Sequence, residues 1–246
     1  MSLVTDFLKT GLTIIEGKQT KESISKLLAS FGNTMPIDSV GSGNYSFSKN
    51  SKNRLYNNLH PVGHSPTNVL GSNLDWHQDG SYIQGGYRGL ALYPMINAEM
   101  VDTLFVNLVK VWNELDLNEK DEARNIELQF TDPLIAYKTS TEQSYLNNIQ
   151  SINSSLVIKH PITNEECLNF SPLTMPDKFK LGSLYLKILE ISLDHIETIK
   201  WDRPMLLLND NYKWMHSTRP NKTKFNKNKS RVLLRAQFNY TKLQNV

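Results

Sequence analysis

The sequence predicts a mainly β domain, a β-sandwich or jelly roll with peripheral helices. Short β-type runs recur along the whole chain, at 12–15, 76–83, 88–95, 102–106, 127–130, 134–137, 155–159, 166–170, 204–208 and 231–240. Helical periodicity is confined to a few stretches between them. No internal repeat, low-complexity tract or linker divides the 246 residues, so 1–246 is read as a single domain.

The elements follow in order. Leu12 to Ile15 form a short strand closed by Gly17. A helix starts at Thr20, because Ile24, Leu27, Leu28 and Phe31 recur at the spacing of one buried face, and Gly32 ends it. From 33 to 75 the chain is rich in Asn, Ser, Gly and Pro and reads as long binding loops around one short strand. Strands at 76–83, 88–95 and 102–106 come next. Leu108, Val111, Trp112 and Leu115 place a helix over 108–115, and a charged helix covers 118–126. Further strands at 127–130, 134–137, 155–159 and 166–170 precede a helix over 183–199, whose apolar face would carry Tyr185, Ile188, Leu189, Ile196 and Ile199. The late strands are 204–208 and 231–240.

Hydrophobic residues make up 39% and charged residues 21%, enough for a buried core and too apolar for disorder throughout. A net charge of +3 is too slight to argue for a nucleic-acid partner. Lys222, Lys224, Lys227 and Lys229 read as a solvated loop. Asp6 and Lys9 interrupt the N-terminus, which makes a poor secretory signal. No apolar run approaches the roughly 20 residues that span a bilayer. The expectation is a cytoplasmic protein with no membrane partner. One cysteine, Cys167, excludes an internal disulfide framework and a multi-cysteine metal site. It reads as a small buried apolar residue.

The chemistry concentrates around Trp76-His77-Gln78-Asp79-Gly80. On a strand, residues i and i+2 share a face, so His77 and Asp79 would project side by side. One more imidazole would complete two histidines and a carboxylate with open positions, the donor set of non-haem Fe(II) oxygenases. His216, after the 204–208 strand and the Asn209-Asp210-Asn211 turn, is the candidate. On the final strand, 231, 233 and 235 share a face that carries Arg231 and Arg235 around Leu233. Buried guanidinium groups need an anion, and a guanidinium grips a carboxylate through two parallel hydrogen bonds. An arginine just beyond a metal histidine suits the distal carboxylate of a keto-diacid. Trp76, Tyr82 and Tyr87 read as core or pocket lining, and His60, His64, His160 and His195 as ordinary histidines.

The sequence resembles the TauD/TfdA-like Fe(II)/2-oxoglutarate-dependent dioxygenases. The resemblance runs from the strand–helix unit at 12–32 through Trp76-His77-Gln78-Asp79 and Asp102-Thr103-Leu104. It continues through His160-Pro161 with Asn164 and Phe170, Asn209-Asp210-Asn211, His216-Ser217-x-Arg219 and Arg231-x-x-x-Arg235. It implies a double-stranded β-helix, the cupin-like jelly roll, and an enzyme using Fe(II), 2-oxoglutarate as cosubstrate and O2. It implies His77, Asp79 and His216 as iron ligands. Thr103 would hydrogen-bond a 2-oxoglutarate carboxylate, and Arg231 would pair with the C5 carboxylate. Arg235 falls at a position that touches the primary substrate's anionic group or supports the cosubstrate, and Asn73 at a substrate-contact position of the taurine enzymes.

The implied reaction decarboxylates 2-oxoglutarate to succinate and CO2 and hydroxylates or desaturates a small amino-acid-derived or anionic substrate. A carboxylate at 79 argues against halogenation, which needs that ligand position for a halide. The chain is shorter than typical members, its 216–231 gap is longer, and 33–75 does not reproduce taurine-binding residues. Substrate, carbon attacked, pathway and oligomeric state are therefore left open. Two other classes fit less well. A non-catalytic metal- or ligand-binding jelly roll needs no open iron positions, and a Zn(II) hydrolase lacks an accompanying general-base carboxylate.

Overall fold

A computed structural model describes residues 2–34, 60–64 (backbone only), 73–83, 88–131 and 151–240. The chain opens with α1 (Leu3–Thr10), which runs into β1 (Leu12–Glu16) and α2 (Lys21–Phe31). β2 (Asn33–Thr34), β3 (His60–His64), β4 (Gly89–Ile96) and β5 (Val101–Asn107) follow. Then come α3 (Leu108–Glu114), α4 (Leu117–Arg124), β6 (Glu127–Thr131), β7 (Ser151–Ser155), β8 (Val157–Lys159) and β9 (Glu166–Leu168). The chain continues through α5 (Gly182–Asp194), β10 (Ile196–Ile199), β11 (Met205–Asp210), β12 (Trp214–Pro220) and β13 (Arg231–Asn239).

Two antiparallel sheets face each other. The larger has the order β1-β11-β4-β13-β2, with β3 also on β13, and the smaller has the order β10-β5-β12. Strand alternation sorts the side chains into layers. Leu90, Leu92, Met205, Leu207 and Leu233 of the larger sheet meet Phe105 and Trp214 of the smaller one. The opposite face of the larger sheet (Ala91, Leu206, Leu208, Leu234, Phe238) is covered by Phe7 of α1 and by Ile24, Leu28 and Phe31 of α2. The opposite face of the smaller sheet (Val106, Met215) packs on α3 and α5 through Val111, Trp112, Leu184 and Ile188. This is the expected jelly roll with helices outside it. No helix of the described residues is long and apolar enough to cross a membrane.

Local signals explain the ends of α2. Thr20 Oγ1 accepts from Ser23 N–H and Ser23 Oγ accepts from Thr20 N–H, a reciprocal cap. Gly32 N–H closes the last turn on the Leu28 carbonyl at 3.1 Å. A Cβ at Gly32 would lie 1.9 Å from the Asn239 carbonyl oxygen, so only glycine lets β13 pass.

Three expectations need correction, and two elements were not expected. Residues 76–83 are not a strand. His77 makes an isolated bridge and the chain then turns through Asp79-Gly80, with Gly80 at φ +76°. The predicted 183–199 helix ends at Asp194, and Ile196–Ile199 pairs with β5 instead. Ile196 and Ile199 fit the helical period by coincidence, while their β-branching suits a strand. The run 155–159 belongs to two strands, split at Leu156. α1 and β12 went unpredicted, although Ser2 and Gly11 bracket α1 as its caps. The predicted 134–137 strand, Tyr87 and most of 33–75 lie outside the described residues.

Cys167 on β9 is fully buried, and burial, reinforced by the nearby Asp210 carboxylate, pushes its thiol up to about 12. At pH 8 only about one molecule in ten thousand would carry the reactive thiolate. The native protein should therefore react with a chromogenic disulfide at least ~100-fold more slowly than protein in denaturant. Equal rates would contradict the burial.

Candidate active site

The site is built on a backbone pairing. His77 N–H donates to the His216 carbonyl at 2.9 Å and His216 N–H donates to the His77 carbonyl at 2.8 Å. Residues exchanging both bonds stand directly opposite and share a face. The two imidazoles consequently lie with ring centroids 4.2 Å apart. β12 carries His216 opposite Phe105 of β5, on the face that looks into the sandwich. Asp79 then reaches the same place through the turn, with Oδ1 3.9 Å from His77 Nε2. Its proximity comes from the turn and not from the strand alternation expected.

One donor atom from each of His77, Asp79 and His216 lies within 4.8 Å of the others, and all three residues are buried. Two ligands each about 2.1 Å from one ion stand between ~3 Å apart at right angles and ~4.2 Å apart when opposite, so a 4.8 Å bound describes a cluster slightly more open than a closed coordination shell. The protonation states suit a cation. His77 Nδ1 sits 2.7 Å from the Asp75 carbonyl, so its proton belongs there and the Nε2 lone pair faces the cluster. Burial, and then the neighbouring His77, pushes His216 down to about 3 against the pull of Asp79. Its ring is neutral at pH 7 and can coordinate. Two imidazoles and a carboxylate fit a divalent metal of the ferrous kind.

The segment that carries these donors is strapped on both sides. Leu74 N–H donates to Thr218 Oγ1 at 2.7 Å, and Ser217 Oγ donates to the Leu74 carbonyl at 2.7 Å. Gln78, between the two donors, is fully buried on the far side. Its N–H donates to Ser171 Oγ at 2.9 Å and its Nε2 donates to the Asn211 carbonyl at 2.7 Å. Leu173 N–H donates to the Trp76 carbonyl at 3.0 Å.

β13 presents Arg231 and Arg235 to the same interior. Arg235 Nη2 lies 3.2 Å from Asp79 Oδ2, so one carboxylate oxygen faces His77 and the other the guanidinium. Arg231 is buried and its Nη2 donates to the Val101 carbonyl at 3.4 Å. Thr103 follows two residues along β5, also buried, and its Oγ1 accepts from Trp201 Nε1 at 2.9 Å. Asn73 is exposed at the head of the strapped segment, and among the described residues no hydrogen bond or ion pair joins it to the three donors.

Residues 2–237 match the profile of the family described as taurine catabolism dioxygenase TauD, TfdA family. The chain belongs to the TauD/TfdA family. It is a 2-oxoglutarate-dependent dioxygenase, and the cofactor set of the family is Fe(II), 2-oxoglutarate and O2. Solved structures agree on the fold. AAD-2, in complex with Mn(II) and N-oxalylglycine, superposes with a TM-score of 0.71 at 17% identity, over 96% of this chain and 85% of that one. A taurine dioxygenase from Burkholderia xenovorans gives 0.67 at 15% identity, over 96% and 79%. No curated protein matches by sequence.

In this TauD/TfdA member the remaining histidines divide clearly. His160 is a buried structural residue bonded to Asp210 and Tyr240, and His195 pairs with Glu114 near the surface at 2.6 Å. The side chains of His60 and His64 lie outside the description. Asp210 serves His160, and the Asp75 carbonyl orients His77. Sequence reasoning missed Gln78, Ser171, Asn211 and Trp201. The only advance signal was Gln78 itself, a polar residue on the opposite side of an alternating pattern.

Proposed function

We propose that His77, Asp79 and His216 hold the ferrous ion, and that Arg231 and Thr103 hold the distal carboxylate of 2-oxoglutarate. The substrate is a small anionic or amino-acid-derived molecule that Arg235 engages, and the outcome is hydroxylation or desaturation of a C–H bond. The observation that carries this reading is the backbone bridge that sets two imidazoles beside a buried carboxylate, with Arg235 behind it. The bound ion, O2 and 2-oxoglutarate supply the oxidising chemistry, and 2-oxoglutarate leaves as succinate and CO2.

The protein's part is binding and orientation. The Asp75 carbonyl fixes the His77 tautomer. Asp79 offsets the charge of the incoming cation and of Arg235 together. Arg231 offers a carboxylate a buried counter-charge, worth more there than in water. Arg235 spends one nitrogen on Asp79, and among the described residues its buried Nε has no hydrogen-bond partner. That unspent donor supports an anionic substrate group.

The test is anaerobic addition of Fe(II) and 2-oxoglutarate, read by the weak visible charge-transfer band. Oxygen is then admitted and succinate measured with a panel of amino acids, N-acyl and isonitrile amino acids, and sulfonates. Arg231→Leu should weaken 2-oxoglutarate binding by about 100-fold and leave Fe(II) affinity within about threefold. Unchanged cosubstrate binding in that variant would remove Arg231 from its role. No succinate with any candidate would sink the substrate class.

A further inference from the structure

We infer that Trp201 is a positioning residue for the cosubstrate, acting through the hydroxyl of Thr103. The inference rests on the reading that Thr103 and Arg231 hold the 2-oxoglutarate carboxylate.

A threonine hydroxyl has one proton to give and two lone pairs to receive with, whereas an indole N–H can only donate. The 2.9 Å contact between Trp201 Nε1 and Thr103 Oγ1 therefore has one polarity: Trp201 gives and Thr103 receives. Among the described residues it is the only hydrogen bond that Thr103 Oγ1 makes. The hydroxyl proton is left to point elsewhere, and what it can meet is an acceptor. An ionised carboxylate can only accept. Trp201 thus occupies one of the two lone pairs of the hydroxyl and leaves its proton free to donate to an acceptor such as a carboxylate oxygen.

The surroundings make this setting firm. Thr103 is 2% and Trp201 3% exposed, so water does not compete for either group. Trp201 sits between β10 and β11 and packs with Phe105, Met205, Leu207 and Leu233, which fixes its ring. Thr103 stands opposite Ile199 on one side and Thr218 on the other, inside a three-stranded sheet, so its backbone is held as well. Arg231 reaches the Val101 carbonyl two residues away, which brings its guanidinium to the same stretch of β5. A donor already receiving a hydrogen bond is polarised and donates more strongly. The indole therefore both orients the hydroxyl and strengthens it.

Trp201→Phe keeps an aromatic ring in the core but removes the N–H together with part of the bicyclic ring, so it also leaves a small void that the melting temperature reports. The experiment titrates 2-oxoglutarate into anaerobic Fe(II) protein for the wild type, Trp201→Phe, Thr103→Val and the double variant, with Fe(II) affinity and melting temperature measured alongside. Trp201→Phe should weaken cosubstrate binding about fivefold, with Fe(II) affinity within about twofold. The double variant should bind like Thr103→Val alone, because without the hydroxyl the indole has nothing to orient. A second measurement avoids the variant's folding. In diamagnetic Zn(II) wild-type protein, the Trp201 indole proton, assigned by its contacts to Thr103, should move downfield when 2-oxoglutarate is added. Equal binding by wild type and Trp201→Phe overturns the inference, as does an indole signal that stays still. A fivefold loss that persists undiminished in the Thr103→Val background also overturns it, because Trp201 then acts through packing. A wild type that takes up no 2-oxoglutarate overturns the underlying reading and this inference together.

Discussion

Asp79→Ala should bind Fe(II) at least ~100-fold more weakly than the wild type and should also unfold more easily, by about 1–3 kcal/mol. Both effects come from one carboxylate with two duties. Oδ1 faces His77 Nε2 at 3.9 Å and Oδ2 faces Arg235 Nη2 at 3.2 Å, with the two side chains of the ion pair 11% and 20% exposed. Truncation removes a proposed ligand and leaves a largely buried guanidinium beside two imidazoles. A cation arriving there would meet repulsion where it had met attraction. Charge and coordination can be separated. Asp79→Ala with Arg235→Met should recover much of the lost stability, because no unpaired cation remains, and should still bind Fe(II) poorly. Asp79→Asn should fall between, since it keeps one oxygen but not the charge. Metal affinity by competition with a chelating dye, together with thermal unfolding, reads both quantities. His216→Ala should match Asp79→Ala in metal affinity without the ion-pair penalty. Fe(II) affinity within threefold of wild type in both single variants would remove the proposed donor set.

That His77, Asp79 and His216 come together was legible, because two of them are close in sequence and the third follows the strand 204–208. His77 and Asp79 sit two apart, and His216, Arg231 and Arg235 follow on late strands. Strand alternation predicts that 231, 233 and 235 share a face, and Arg231 and Leu233 are buried while Arg235 meets Asp79. The route by which His77 and Asp79 meet was not legible. Period-two reasoning predicts a strand at 76–83, yet the Asp79-Gly80 dipeptide is a turn signal that overrides it. The α5–β10 boundary was hidden because Ile196 and Ile199 satisfy helix and strand spacing alike. The straps were out of reach for a different reason. Gln78 to Asn211 spans 133 residues and Trp201 to Thr103 spans 98. Such bonds depend on which segments fold together, and no local pattern encodes them. His160 shows the same limit: nothing near it in sequence announces the partners it has in the fold.

Those partners lead to the second large effect. Asp210→Ala should cost about 3–5 kcal/mol and lower the melting temperature by roughly 6–20 °C. Asp210 is completely buried at the end of β11. Oδ1 accepts from the Tyr240 hydroxyl at 2.5 Å and from Tyr212 N–H at 2.8 Å, and Oδ2 lies 2.9 Å from His160 Nε2. His160 Nδ1 accepts from the N–H groups of Ile162 and Thr163 at 3.2 and 3.0 Å, so the ring proton is on Nε2 and is donated to Asp210. Burial and Asp210 hold the Tyr240 phenol well above its ordinary range, which keeps that donor in place. Arg88 lies buried 5.0 Å over the Tyr212 ring, and Asp210 offsets part of the burial that pulls its guanidinium down. Alanine would strand three donors and weaken the compensation of a buried cation, far more than the loss of one hydrogen bond. Asp210→Asn, which keeps the shape and one acceptor, should cost less than alanine. Tyr240→Phe, which removes one donor cleanly, should cost about 1 kcal/mol. The damage should also reach the metal donors, because the adjacent Asn211 carbonyl holds Gln78, and Fe(II) affinity should fall before global unfolding begins. Thermal unfolding with metal titration below the transition checks both. An Asp210→Ala protein melting within about 2 °C of the wild type would show that the network carries little of the stability.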